Sequence, residues 1–151
     1  MNKFSIIIPT RWYEPELTEN LIDWLVNNLK MCDEIILLNN SSKFRDFKNI
    51  ERTNFINISP RKYVNFCWNV GVSSAKNNVV CLLNDDLSFS YNIFEKIREM
   101  YIWNEQSHTG IVGIDKSCVG DFTNRGIREI CIEQINQIEH SFGICMFMKK
   151  E

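Results

Sequence analysis

Two adjacent carboxylates, Asp85 and Asp86, follow the apolar run Val79-Val80-Cys81-Leu82-Leu83. Carboxylates delivered together at the end of a buried strand suit Mg2+ or Mn2+, which prefer oxygen ligands and take one or two carboxylates plus substrate phosphates. A metal so held neutralises charge developing on a departing diphosphate. The plainer alternative is that Asn84-Asp85-Asp86 is a turn, with Ser88 or Ser90 capping a following helix. Other polar groups close two further apolar runs: Pro9-Thr10-Arg11-Trp12 after Phe4 to Ile8, and Asn39-Asn40-Ser41-Ser42 after Glu34 to Leu38. Trp12 suits either stacking on a base or packing over a helix. Arg61 and Lys62 read as a solvated pair or as a diphosphate contact, the solvated reading being the plainer.

The elements that must position these groups are legible as periodicity. Phe4–Ile8, Glu34–Leu38 and Val79–Leu83 are short, continuous apolar runs, as expected of strands buried on both faces. Phe55–Ile58 reads as a third, shorter strand, and Gly110–Ile114 and Gly143–Met148 as later ones. Glu129–Ile138 reads as a strand, with a helix as the alternative, and Asp115–Arg128 as a polar loop. Pro15 opens a helix, because a missing N–H costs nothing at the first position. Leu17, Leu21, Trp24, Leu25 and Leu29 follow at helical spacing. Tyr63, Phe66, Cys67 and Val70 mark a second helix, ending near Lys76. Phe94, Ile97 and Tyr101 mark another, with Glu95, Lys96, Arg98 and Glu99 expected to face water. The segment with Phe44, Phe47 and Ile50 reads as mobile or briefly helical. Strands alternating with helices imply right-handed crossovers and a mostly parallel sheet. Ligands of such sheets bind at the carboxyl ends of the strands, where the polar groups collect.

Composition narrows the classes. The chain has 151 residues, 44% hydrophobic and 24% charged, with a formal net charge of −2. That fits one globular domain and gives no basic excess for a nucleic-acid partner. No apolar stretch approaches the length of a membrane span, and the N-terminus lacks a signal-peptide pattern. Six cysteines, Cys32, Cys67, Cys81, Cys118, Cys131 and Cys145, include no C-x-x-C pair. They read as reduced core residues of a cytoplasmic protein. His108 and His140 are isolated and read as surface or helix-end residues. No G-x-G-x-x-G, P-loop, G-x-S-x-G or H-E-x-x-H motif occurs, which disfavours a Rossmann dehydrogenase, a P-loop ATPase and a serine hydrolase.

Four segments in order carry a family resemblance: Ser5 to Thr10 (S-I-I-I-P-T), Glu34 to Ser42 (E-I-I-L-L-N-N-S-S), Asn69 to Ala75 (N-V-G-V-S-S-A) and Val79 to Asp86 (V-V-C-L-L-N-D-D). Together they resemble the nucleotide-binding N-terminal half of family two glycosyltransferases, nearest the branch that includes rhamnosyltransferases. The resemblance covers about residues 4–90, and Gly143 to Lys149 is similar to the strand before the family's acceptor-side segment. It implies a GT-A-like (Rossmann-like) three-layer α/β/α sandwich. It also implies an inverting, metal-dependent hexosyl or deoxyhexosyl transfer from a nucleotide-sugar donor to a glycan or other hydroxyl acceptor. By the same resemblance, Pro9, Thr10 and Arg11 would line the nucleobase and ribose pocket. Asn39 or Asn40 would stand where the family reads the base with an Asp. Asn69 and Gly71 would bring a helix turn near the nucleotide. Asp85 would lie by the ribose and diphosphate, and Asp86 would bind Mn2+ or Mg2+.

Departures from the family pattern are specific. Asn39 replaces the usual Asp, Trp68 stands where many members carry Arg, and Asn84 replaces the first Asp of a strict D-x-D. The family's general base follows the strand matched to Gly143–Lys149, so residues 1–151 read as one domain lacking the usual acceptor and base segment. An inverting transfer needs a carboxylate within reach of the acceptor hydroxyl. Asp121, in the polar loop, is the candidate substitute, ahead of Asp115, Glu133 and Glu139; each also reads as a solvated surface carboxylate. The alternative function is a non-catalytic nucleotide-binding or interaction module.

Overall fold

A computed structural model describes residues 2–42, 50–89, 92–99, 111–115, 128–130 and 141–150. The order is β1 (Phe4–Thr10), α1 (Pro15–Asn28), β2 (Glu34–Asn39), β3 (Thr53–Asn57), α2 (Val64–Ser74), β4 (Val79–Leu83) and β5 (Leu87–Phe89). There follow α3 (Ile93–Glu99), β6 (Ile111–Asp115), β7 (Arg128–Ile130) and β8 (Ser141–Lys149). Six strands form one sheet in the order β3-β2-β1-β4-β8-β6. β3, β2, β1 and β4 pair in parallel, while β8 runs antiparallel to both β4 and β6. Five strands therefore share one direction. β5 and β7 form a separate parallel pair.

Side-chain alternation explains the layers. Phe4, Ile6 and Ile8 of β1, Ile35 and Leu37 of β2, and Val79, Cys81 and Leu83 of β4 pack on one face, with α1 and α3. Ile7, Ile36, Leu38, Val80 and Leu82 pack on the other, with Cys67 of α2 and Ala75 at its end. The two sets are the odd and even positions of the same strands. Phe4, Phe94 and Phe147 pack edge-on, with centroids 5.4 Å apart for Phe4–Phe147 and 5.6 Å for Phe94–Phe147.

Two polar staples lock the end of the sheet away from the candidate site. Asp33 accepts from the Phe4 N–H at 2.8 Å and pairs with Arg98 at 2.5 Å. Arg98 is thus buried over the Phe4 ring, at 4.3 Å, and does not face water as its place beside Glu95 and Lys96 suggested. The acid in the β1–β2 crossover captures it, and helical periodicity does not reveal that partner. Arg52, at a left-handed φ of 61°, donates to the carbonyls of Leu29 at 3.2 Å and Lys30 at 2.8 Å, and to that of Val26. It caps the carbonyl end of α1, which lacks internal partners.

Among the expected elements, Pro15 opens α1. The helix expected to reach Lys76 ends at Ser74. Asn92 accepts from the Glu95 N–H at 3.3 Å and caps α3, while Ser88 lies in β5. Cys67, Cys81 and Cys145 are buried free thiols and Cys32 is exposed. Residues 43–49, 90–91, 100–110, 116–127 and 131–140, with Ser90, Tyr101, Trp103, His108, Cys118, Asp121, Cys131, Glu133, Glu139 and His140, lie outside the described residues. No described helix is long and apolar enough to cross a membrane.

Candidate functional site

The carboxyl ends of the two central parallel strands form the site. β1 delivers Thr10, and β4 delivers Asn84-Asp85-Asp86 immediately beside it, because β1 and β4 are paired neighbours. A pocket of about 170 Å³ is lined there by Pro9, Thr10, Arg11, Tyr13, Asn40, Val64, Asn84, Asp85 and Asp86. Five expected donor residues, Pro9, Thr10, Arg11, Asn40 and Asp85, therefore come together with the expected metal ligand Asp86. Strand β5 begins directly after Asp86 and packs on α1, so the acidic turn is held at both ends.

Burial raises the Asp85 carboxyl above its ordinary range. A hydrogen bond from Thr10 opposes that rise, and the neighbouring charge of Asp86 adds to it. The Thr18 hydroxyl, in the first turn of α1, approaches Asp85 Oδ2 at 3.5 Å. Thr18 is a buried polar residue in line with Leu21, Ile22 and Leu25. A polar residue on an apolar helical stripe was the sequence signal that could have found it.

Asn39 and Asn40 are both buried, and their amides are engaged within the protein. Asn39 Oδ1 accepts from Trp12 Nε1 at 2.8 Å, and its Nδ2 donates to Asn57 Oδ1 at 3.0 Å. This chain of contacts ties the ends of β1, β2 and β3 together. Trp12 is 2% exposed and belongs to the core beneath the site. Its φ of 56° is unusual for a bulky residue. With Trp12 turned inward, Arg11 and Tyr13 on either side of it both line the pocket. Asn40 clasps one peptide of the segment before α2: Nδ2 donates to the Lys62 carbonyl at 2.8 Å, and Oδ1 accepts from the Lys62 N–H at 2.9 Å. Tyr13, Val64 and Asn57 were not singled out in the sequence.

The other two expected donor residues stand elsewhere. Asn69 is exposed on α2 and does not line the pocket. Gly71 is buried against β1, where a Cβ would come 2.2 Å from Ile7 Cγ2. A glycine there permits close helix–strand packing.

The donor set is all oxygen: two carboxylates, the Asn84 amide and the Thr10 hydroxyl. No group of three or more His, Cys, Asp or Glu gathers among the described residues. That set fits Mg2+ or Mn2+ completed by substrate phosphates better than a closed zinc cage.

No protein-family model matches the chain, and no curated protein matches it. Solved structures do. The mannosyltransferase PcManGT from Pyrobaculum calidifontis, in complex with GDP-Man and Mn2+, aligns with a TM-score of 0.59 at 13% identity, over 76% of this chain and 36% of that one. The fold is similar to glycosyltransferase folds. TarS 1-349 from S. aureus aligns at 20% identity over 56% of this chain and 27% of its own, with a TM-score of 0.47. The chain thus spans about a third of the length of these structures.

Proposed function

We propose that the chain forms the donor-binding part of a metal-dependent, inverting glycosyltransferase of the GT-A type, acting on a nucleotide-sugar and an acceptor hydroxyl in the cytoplasm. The observation that carries this reading is the pairing of β1 with β4, which sets Asp85 and Asp86 beside Thr10 and Arg11 in one pocket. The PcManGT complex with GDP-Man and Mn2+, on a similar fold, supports it.

In this reading Asp86, with Asp85, holds Mn2+ or Mg2+. The bound cation would neutralise charge developing on the leaving diphosphate. Thr10 and Thr18 keep the Asp85 carboxylate in place. Pro9, Thr10 and Arg11 form the wall against which the nucleotide lies. Asn39 supports that wall from beneath through Trp12. The acceptor hydroxyl attacks the anomeric carbon as a carboxylate takes its proton, and Asp121 is the candidate for that base.

A second reading, a nucleotide-binding module without transfer, is favoured by one observation. Among the described residues that line the pocket, Asp85 and Asp86 are the only carboxylates, and both are assigned to the cation.

Calorimetric titration with UDP, GDP and dTDP, each with Mn2+ and again with EDTA, tests both. One nucleotide is expected to bind more tightly with Mn2+ than in EDTA. Asp86→Ala should abolish that metal-dependent gain while leaving the circular dichroism spectrum unchanged. A variant that binds nucleotide and Mn2+ like the parent protein would sink the assignment. Binding without any sugar release or transfer would select the second reading.

A further inference from the structure

Beside the pocket, two guanidinium groups converge on one oxygen. Arg61 Nη2 donates to Tyr13 Oη at 3.0 Å, and Arg11 Nη1 approaches the same oxygen at 3.5 Å. Arg11 Nη2 also reaches the Lys62 carbonyl at 3.4 Å. The two-bond clasp of Asn40 on Lys62 fixes the strap that carries Arg61. The cluster therefore joins the loop after β1, the end of β2 and the approach to α2, and no ion pair neutralises either arginine among the described residues. From Arg52 to Asn84 the sequence holds four cations and no acid.

The acceptor at the centre of this cluster is a neutral phenol on a side chain that is 75% exposed. The hydrogen bond from Arg11 and the charge of Arg61 lower its pKa, so the position favours negative charge. Guanidinium groups match phosphate oxygens in geometry and make shorter, stronger bonds to them than to a neutral hydroxyl. Asp85 and Asp86 line the same pocket and repel a phosphate when no cation is bound. A phosphate arriving without metal is held only if positive charge lies beside that pocket.

We propose that Arg11 and Arg61 form a metal-independent phosphate subsite at the edge of the pocket, taking the diphosphate of a nucleotide or free pyrophosphate. The proposal rests on reading the pocket as the donor site. Its ligand chemistry does not depend on the nucleobase or on Asp86.

The test is calorimetric titration of the full chain, in EDTA, with inorganic pyrophosphate, GDP and guanosine. Pyrophosphate and GDP should bind and guanosine should not. Arg11→Gln and Arg61→Gln should each weaken pyrophosphate binding about tenfold, the scale of one charge-assisted hydrogen bond. Lys76→Gln removes a cation at the opposite end of the sheet and should change nothing. Circular dichroism checks each fold, and Arg61, being exposed, gives a variant expected to fold. The proposal is overturned if the parent protein takes up no pyrophosphate without metal, or if both arginine variants bind it as the parent does. Nucleotide binding with Mn2+ but no metal-free pyrophosphate binding would refute the subsite alone. Arginine-dependent pyrophosphate and GDP binding with no gain in nucleotide affinity from Mn2+ would refute the donor reading and leave the subsite standing.

Discussion

Gly71→Ala separates two accounts of that glycine. By resemblance it brings a helix turn near a nucleotide; by geometry it lets α2 press on β1. A methyl there would stand 2.2 Å from Ile7 Cγ2 and 3.3 Å from Ile7 Cβ and Cγ1. Carbon atoms pack at about 3.5–4.0 Å, so the deficit is at least about 1.3 Å. Ile7 is wholly buried, β-branched, and in a strand paired on both sides, so it has little freedom to turn away. The helix must therefore lift. Overpacking costs about 1–3 kcal/mol, and so deep an overlap with a wholly buried side chain belongs at the upper end, about 2–3 kcal/mol, of which the better helix propensity of Ala returns about 1 kcal/mol. The expected net loss is about 1–2 kcal/mol, or about 2–8 °C in Tm for a chain of this size. Urea unfolding followed by tryptophan fluorescence and circular dichroism measures it. Ile7→Ala, which removes the colliding methyl, should make the double variant more stable than the sum of the single losses predicts. A Gly71→Ala protein as stable as the parent, or more so, would refute the packing argument, since propensity alone predicts a gain.

Three other perturbations test neighbouring claims. Trp12→Phe keeps a ring in the core but strips Asn39 Oδ1 of its 2.8 Å donor, and should cost about 1–3 kcal/mol in urea unfolding, the range for a buried group left without its partner. Arg98→Met leaves the Asp33 charge buried without its counter-ion and should cost about 3–5 kcal/mol; a loss below about 1 kcal/mol would show the pair to be dispensable. Asp85 has a raised pKa in the folded protein, so the native state binds its proton more tightly than the unfolded chain does. Its contribution to stability therefore falls as pH climbs from the ordinary value of 3.8 through the raised one, and stays low above that. Asp85→Asn should stabilise the metal-free protein at neutral pH, with the gain shrinking to nothing as pH drops below 3.8; thermal melts from pH 3 to 8 would contradict this if the gain were flat.

The central strands and their polar ends were readable because a strand buried on both faces must be an uninterrupted apolar run. Val79–Leu83 shows this, and so does the placing of Asp85 and Asp86 at its end. Strand β5 was missed. Leu87–Phe89 is three residues long, too short to show a period, and its partner Arg128–Ile130 is remote in sequence. Arg98 was read as solvated because helical spacing gives a face, and only the fold brings Asp33 to that face. The asparagines illustrate a similar limit. Their types announced polar strand ends, but the Trp12–Asn39–Asn57 chain and the Asn40–Lys62 clasp link residues 18 to 27 apart, a pairing that local pattern does not encode.

The placement of β8 governs how the protein can be made and handled. This strand follows β4 only after residues 84–140, yet it lies inside the sheet between β4 and β6, and Lys150 ties it down through the Asn78 carbonyl at 2.6 Å and the Ala75 carbonyl at 2.5 Å. On a ribosome adding about 5–20 residues per second, β4 therefore waits several seconds with a bare, apolar edge before its neighbour exists. An open edge of that kind invites pairing with another nascent chain. Yield should accordingly respond to growth temperature and to chaperone supply, and any cut that trims β8 should surface as aggregation before it surfaces as lost binding.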